Sequence, residues 1–148
     1  MRIIKSQLIL LIMGVSIAGC ASDDCNEPKT LEVSQAQFMD ELLSVNGLSV
    51  SDVKYSTRND VNCQTRYIYE LAIENKTLKI VPSSIVNLKY LRDLWLFNDG
   101  LDSLPESLMN LTYLELYVDS NSICNVTAAM DSFLNKKSLT WSKTQKCP

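Results

Sequence analysis

A 23-residue period runs through the middle of the chain and constrains its fold more than any other feature. The first copy has apolar residues at Ile68, Leu71, Ile73, Leu78, Val81, Ile85 and Leu88. The second copy repeats them as Leu91, Leu94, Leu96, Leu101, Leu104, Leu108 and Leu111. A proline follows the fifth apolar position in both copies, as Pro82 and Pro105. A period of this length predicts a stack of similar units, each of which buries its apolar side against the next.

A third and shorter copy follows, with matching positions at Leu114, Leu116, Val118, Asn121 and Ile123. Residues 68–123 resemble the leucine-rich repeat family. The resemblance implies an α/β fold, a short solenoid of about three 23-residue coils with a parallel concave sheet and looser convex turns. The asparagine that normally bonds between coils is Lys76 in the first copy, Asp99 in the second and Asn121 only in the third. We therefore expect a partial ladder of buried hydrogen bonds, with the Lys76 amine in water.

The segment 31–67 is expected to form an N-terminal cap on the repeats. Ser34 and Gln37 have the spacing of a capping box, and Gly47 ends the helical pattern, which predicts a helix over about 35–45. Its apolar residues at helical spacing are Phe38, Met39, Leu42, Leu43 and Val45. Residues 48–66 mix turn formers with isolated valines and are expected to supply an irregular strand that covers the first coil's edge.

The segment 124–148 is expected to form a C-terminal cap. Asn125 is a suitable N-cap for a helix from Val126 to about Lys136, with an apolar face that includes Met130 and Leu134. Trp141 is most simply a core residue that seals the last coil. The closing residues 141–147 resemble the C-terminal ends of several bacterial leucine-rich repeat proteins.

If Cys20 is lipidated, as argued below, four cysteines remain on either side of the repeats, and three pairings among these four are possible. Two precede the repeats and two follow them, which favours Cys25 with Cys63 and Cys124 with Cys147, each closing one cap. The place of Cys63 resembles that of the closing cysteine in the N-terminal caps of extracellular leucine-rich repeat proteins. A four-thiolate zinc site is the alternative, but such sites usually draw on closely spaced pairs, and the chain has none. We expect neither a metal nor a cofactor.

Residues 1–19 are expected to be an export signal. Arg2 and Lys5 precede an apolar stretch, Leu8 to Ile17, that is too short to span a bilayer. The sequence Ile17-Ala18-Gly19-Cys20 resembles the lipobox of bacterial lipoproteins, which implies a lipidated Cys20, with palmitate among its acyl chains, and a tether over 20–30. Cleavage before Ser22 is the alternative. The absence of an aspartate after the lipidated cysteine favours the outer membrane or cell surface of the bacterial envelope, by resemblance to the lipoprotein sorting rule.

Strand alternation predicts which side chains face the concave surface. If Leu71 and Ile73 point inward, their neighbours point outward, and the same register applies to the next two copies. The expected columns are Glu70, Asp93 and Glu115; Ala72, Trp95 and Tyr117; and Glu74, Phe97 and Asp119. None of the nine is Lys or Arg. The eight that we expect to contact a partner are all of these except Ala72.

The simplest interpretation of this face is a solvated surface on which the exposed aromatic residues have no binding role. The alternative is a binding site in which the three aromatic rings anchor a protein partner and the carboxylates attract its cationic segment. Carbohydrate binding and a purely structural envelope role stay open. Catalysis is not expected, because the chain has no histidine and no phosphate-binding glycine loop. Nucleic acid is an unsuitable ligand, since the net charge of −3 becomes −5 once residues 1–19 are removed.

Overall fold

The computed structural model describes residues 30–60, 63–138 and 140–148. Its strands are β1 Thr30–Leu31, β2 Lys54–Asn59, β3 Thr65–Glu74, β4 Asp93–Phe97 and β5 Glu115–Tyr117. Its α-helices are α1 Val33–Asn46, α2 Ala128–Lys137 and α3 Trp141–Thr144. Short 3₁₀ helices span Val50–Asp52, Ser83–Asn87 and Glu106–Asn110. The expected export signal, Cys20 and Cys25 lie outside the described residues, and none of the described helices could cross a membrane.

One sheet contains all five strands in the described part of the chain. Strands β3, β4 and β5 are parallel neighbours, and their register pairs Leu71 with Leu94 and Leu94 with Leu116. The offset is 23 residues between the first two copies and 22 between the last two, because the third copy is one residue shorter. The expected parallel sheet is therefore confirmed.

The repeating apolar residues form the core of the molecule. Of the fourteen apolar positions in the first two copies, all are buried except Leu104, which is partly buried. Pro82 and Pro105 each precede a 3₁₀ helix on the return path between strands. Proline suits this place because its fixed φ favours the start of a helical turn and it has no N–H to leave unpaired.

A residue with positive φ follows each strand of the repeats, directly after β3 and β4 and three residues after β5. These residues are Asn75, Asn98 and Ser120, with φ of 58°, 55° and 63°. Asparagine adopts this left-handed conformation more readily than most residues do. The Asn98 side chain also donates a 2.9 Å hydrogen bond to that of Asn75, which ties neighbouring turns together.

The hydrogen-bond ladder between repeats is partial. Among the three equivalent positions, Asn121 is the residue whose side chain both accepts and donates backbone hydrogen bonds. Its side-chain oxygen accepts from the backbone N–H groups of Asp99 and Leu101, while its amide donates to the carbonyls of Leu96 and Val118. The buried Asp99 carboxylate accepts a 2.8 Å hydrogen bond from the Lys76 N–H. The Lys76 side chain is 37% exposed, in agreement with the expected contact with water, and its amine also lies 2.6 Å from the Asp52 carboxylate.

The N-terminal flank differs from its predicted form at the start of α1. The N-cap is Glu32, not Ser34, because the Glu32 carboxylate accepts hydrogen bonds from the Gln35 N–H at 3.2 Å and from the Ser34 hydroxyl. Ser34 thus lies inside the helix, and the predicted capping box does not form. The helix ends at Gly47 as expected, with φ of 66°. Phe38, Met39 and Leu42 are buried, whereas Val45 is exposed.

The expected irregular strand of the N-terminal flank is β2. It runs antiparallel to β3, with a shift of register between Ser56 and Thr57. The pairing places Lys54 beside Ala72 and Ser56 beside Glu70. Because cross-strand partners share a face, β2 widens the open surface of the sheet by one strand.

The helix of the C-terminal flank, α2, begins two residues later than predicted. Thr127, not Asn125, caps α2, and its hydroxyl accepts the Met130 N–H at 3.2 Å. Met130, Leu134 and Trp141 are buried, and the Trp141 ring nitrogen donates to the Asn135 side chain. A disulfide joins Cys124 to Cys147, the pair that the sequence favours. Cys63 is also disulfide-bonded; its expected partner Cys25 lies outside the described residues.

Candidate functional site

The open face of the sheet carries two exposed aromatic rings. Leu94 and Leu96 are 0% and 1% exposed, whereas Trp95 and Phe97, which alternate with them, are 39% and 41% exposed. The register pairs Ala72 with Trp95, and Trp95 with Tyr117. The predicted orientation of these rings toward solvent therefore agrees with the structure.

Trp95 and Tyr117 form a stacked pair on this face. Their ring centroids are 3.6 Å apart and their planes differ by 6°. The Tyr117 hydroxyl donates a 3.2 Å hydrogen bond to the Glu115 carboxylate. Desolvation and that carboxylate raise the pKa of Tyr117 above its ordinary value. The stack fixes both rings, so a partner that covers them loses little additional side-chain entropy.

A row of three carboxylates crosses the sheet beside the stacked pair. The register places Glu70 next to Asp93, and Asp93 next to Glu115. Burial and then the charges of Glu115 and Glu70 raise the pKa of Asp93, against a smaller opposing effect of Arg92. Like charges on neighbouring strands repel, so a cation bound here would relieve part of that repulsion.

The third predicted column is less open than expected. Glu74 pairs with Phe97 in the sheet and lies 3.9 Å from the amine of Lys54. Asp119 lies beyond the end of β5, and its Oδ1 accepts hydrogen bonds from the hydroxyls of Thr140 at 3.0 Å and Thr144 at 2.8 Å. Asp119 thus binds the C-terminal flank, and its expected role as a partner contact is not supported by this geometry.

Lys54, which was not predicted from the repeat pattern, adds a cation to a face expected to have none. Its place follows from the antiparallel register of β2, which no repeat position specifies. Three tyrosines that were not among the predicted site residues also recur at the repeat period: Tyr67, Tyr90 and Tyr113. The 23-residue spacing was a sufficient signal for this column.

Two shallow hollows flank the described sheet. One of about 530 Å³ lies between β5 and α2 and includes Tyr117, Glu115 and Lys136 in its lining. The other, of about 270 Å³, includes Asp52, Lys54 and Glu74. Among the residues that the structure describes, no group of three Cys, Asp or Glu side chains is placed to hold a metal ion.

Comparison with known proteins supports the fold. No protein-family model matches the chain, and no curated protein matches it. The leucine-rich repeat ectodomain of the receptor kinase SOBIR1 from Arabidopsis thaliana is a structural neighbour, with a TM-score of 0.53 and 16% sequence identity. The match covers 64% of this chain and 58% of that ectodomain, so this chain spans less than two thirds of its neighbour's length. The chain therefore has a leucine-rich-repeat-like fold.

Proposed function

We propose that this chain is an extracytoplasmic binding module, anchored to a bacterial membrane through lipid on Cys20. Its concave face, defined by Glu70, Asp93, Trp95, Phe97, Glu115 and Tyr117, binds a cationic segment of a partner protein. The flanking segments 31–67 and 124–148 cap about three coils in this proposal. Capping is needed because the terminal units of a short repeat array would otherwise expose their apolar sides.

The observation that carries this proposal is the stacked Trp95–Tyr117 pair beside a row of carboxylates. An Arg or Lys side chain laid on this surface meets an aromatic face and a negative charge at the same time. A cation over an aromatic ring contributes roughly 0.5–2 kcal/mol, depending on how far it is desolvated. Aromatic anchors surrounded by polar groups are also the usual centre of a protein interface.

The same geometry argues against catalysis. A general acid needs a desolvated pocket that raises its pKa toward neutrality, and the open row around Asp93 provides only a partly covered carboxyl. The chain also contains no histidine. Binding is therefore the role that this face supports best.

The proposal predicts that the mature chain binds an extended arginine-rich peptide more weakly after Trp95→Ala. We expect a dissociation constant at least about tenfold higher by fluorescence anisotropy, because the substitution removes the anchor ring. The double variant Asp93→Asn/Glu115→Gln should also weaken binding and should reduce its dependence on salt.

The matched control is Asp40→Asn/Glu106→Gln, which removes the same charge from exposed positions away from the face. If both double variants weakened binding equally, binding would depend only on the net charge of the chain, which would contradict the proposal. A glycan array separates the carbohydrate alternative, since sugar binding would also need Trp95 but would change little with salt.

A further inference from the structure

Three tyrosines, two of them exposed, line the edge at which the repeat strands begin. Tyr67, Tyr90 and Tyr113 occupy one position in three successive repeats, 23 residues apart. The rings of Tyr67 and Tyr90 have centroids 4.4 Å apart, close to the spacing of neighbouring strands. Tyr90 and Tyr113 are 56% and 64% exposed. The column is therefore a surface feature outside the core, and it adjoins the concave face, since Tyr113 lines the same hollow as Glu115 and Tyr117.

Two arginines lie over aromatic rings at the same edge. The Arg58 guanidinium is 3.6 Å from the centroid of the Tyr69 ring, and that of Arg92 is 4.5 Å from the Tyr113 ring. The ion pairs within the described residues are Lys54 with Glu74 and Lys76 with Asp52, so neither arginine has a carboxylate within ion-pair distance there. We name Arg58, Tyr67, Tyr69, Tyr90, Arg92 and Tyr113 the tyrosine–arginine edge.

Stacking leaves the hydrogen-bonding edge of each guanidinium available. A guanidinium that lies flat on a ring still has in-plane N–H donors, which match a carboxylate in a bidentate arrangement. The ring also holds the long side chain in place, so less entropy is lost when a partner binds. Both arginines are exposed, which makes these donors accessible to a ligand.

The charge of this edge is opposite to that of the molecule. The chain carries a net charge of −3, and its concave face carries a row of carboxylates. Two exposed arginines that form no ion pair with a described residue fit an anionic ligand. Arginine and tyrosine are also the residue types most enriched among those that dominate binding energy in protein interfaces.

We propose that the tyrosine–arginine edge binds an acidic polypeptide segment in extended conformation. The two guanidinium groups lie over rings from repeats two strand spacings apart, or about 10 Å at about 4.8 Å per strand. An extended chain in the polyproline II conformation has three residues per turn and rises about 3.1 Å per residue, so acidic residues three positions apart lie on one side of it and match this distance. The residues between them lie over the rings of Tyr67 and Tyr90. This site does not depend on the function of the concave face.

The test uses a labelled 12-residue peptide with glutamate at every third position and serine elsewhere. Its control has glutamine at every third position. The mature chain should bind the glutamate peptide at least about tenfold more tightly by fluorescence anisotropy at low salt. Arg58→Gln/Arg92→Gln should abolish that preference, and Arg58→Lys/Arg92→Lys should restore only part of it, because lysine keeps the charge without the planar donors.

A matched control, Lys79→Gln/Lys143→Gln, removes two positive charges from exposed positions outside the edge. It should change the dissociation constant less than twofold. Equal losses in the arginine and lysine variants would overturn the proposal. So would tighter binding to an anionic polysaccharide or to phosphatidylglycerol vesicles than to the peptide. If the arginine variants unfold, amide shift mapping on the unaltered chain decides: shifts away from Tyr67, Tyr90 and Tyr113 also overturn it.

Discussion

Asp99 and Asn121 occupy the same repeat position, yet their side chains differ in the hydrogen bonds that they can form with the backbone. Both side chains are fully buried. Asn121 donates to two carbonyls, whereas Asp99 has one buried carboxylate oxygen, Oδ2, without a hydrogen-bond partner. Burial is the largest cause that raises the pKa of Asp99, to about 6. The sequence shows that the asparagine is missing, but the altered acidity depends on burial and could not be predicted from it.

The raised pKa of Asp99 predicts a pH-dependent loss of stability. The folded chain holds this proton more tightly than the unfolded chain, so the contribution of Asp99 is most favourable below about pH 4. It falls as pH rises through about 6, and the total change is at most about 3 kcal/mol. We expect Asp99→Asn to raise the free energy of unfolding at pH 7.5 by roughly 1–3 kcal/mol, because the amide can donate where the carboxylate cannot.

Urea denaturation of the original chain and the variant at pH 4.5, 6 and 7.5 measures this effect. The difference should shrink toward pH 4.5. Asp102→Asn changes an exposed neighbouring carboxyl and should leave stability within about 0.5 kcal/mol at each pH. A pH-independent difference for Asp99→Asn would refute the assignment.

Among the elements, the repeats were more predictable than their flanks. Each repeat contacts its neighbours at a fixed sequence offset, so the apolar period specifies both the strands and their register. The flanks have no such offset. The positions of Glu32 and Thr127 as N-caps depend on where the chain approaches the core, whereas Ser34 and Asn125 satisfy the local preference equally well. The place of Lys54 depends on β2 pairing, which is a tertiary contact.

The corrected N-cap of α2 gives a direct comparison of two residues. Thr127→Ala removes the acceptor for the Met130 N–H and should lower the free energy of unfolding by about 1 kcal/mol. Asn125→Ala should change it by less than about 0.5 kcal/mol, since Asn125 is exposed and lies before the cap. Chemical denaturation of both variants provides the measurement. A larger loss of unfolding free energy for Asn125→Ala than for Thr127→Ala would show that Asn125 is the N-cap, as the sequence alone suggested.

At the scale of the whole molecule, charges of opposite sign lie on adjacent surfaces. The carboxylates of Glu70, Asp93 and Glu115 form a row on the concave face, and Arg92 directly precedes Asp93 at the edge of the sheet. The carboxylate row was predictable from strand alternation. The arginine contacts were not, because they depend on side-chain positions across β2, β3 and the turn before β5.

Membrane attachment of the whole molecule should depend on Cys20. In a bacterial host, the chain should incorporate an alkyne analogue of palmitate and fractionate with membranes. Two or three acyl chains hold a protein stably in a bilayer, since each buried CH₂ contributes about 0.8 kcal/mol. Cys20→Ala should abolish labelling and release the chain, whereas Cys25→Ser should retain the label. Label retained in the Cys20 variant would disprove lipidation at this residue.

The backbone hydrogen bonds between repeats also determine where a further repeat could be added to the chain. Asn75 donates its N–H to the carbonyl of Phe97, and Asn98 donates in the same way to Asp119. Antiparallel β2 occupies one margin of the first repeat strand, while α2 and α3 follow the last. A duplicated unit inserted between β3 and β4 would have a parallel repeat strand on each side, as β4 has now. Evolution or a protein engineer could thus lengthen the recognition surface from within, leaving both ends of the molecule as they are.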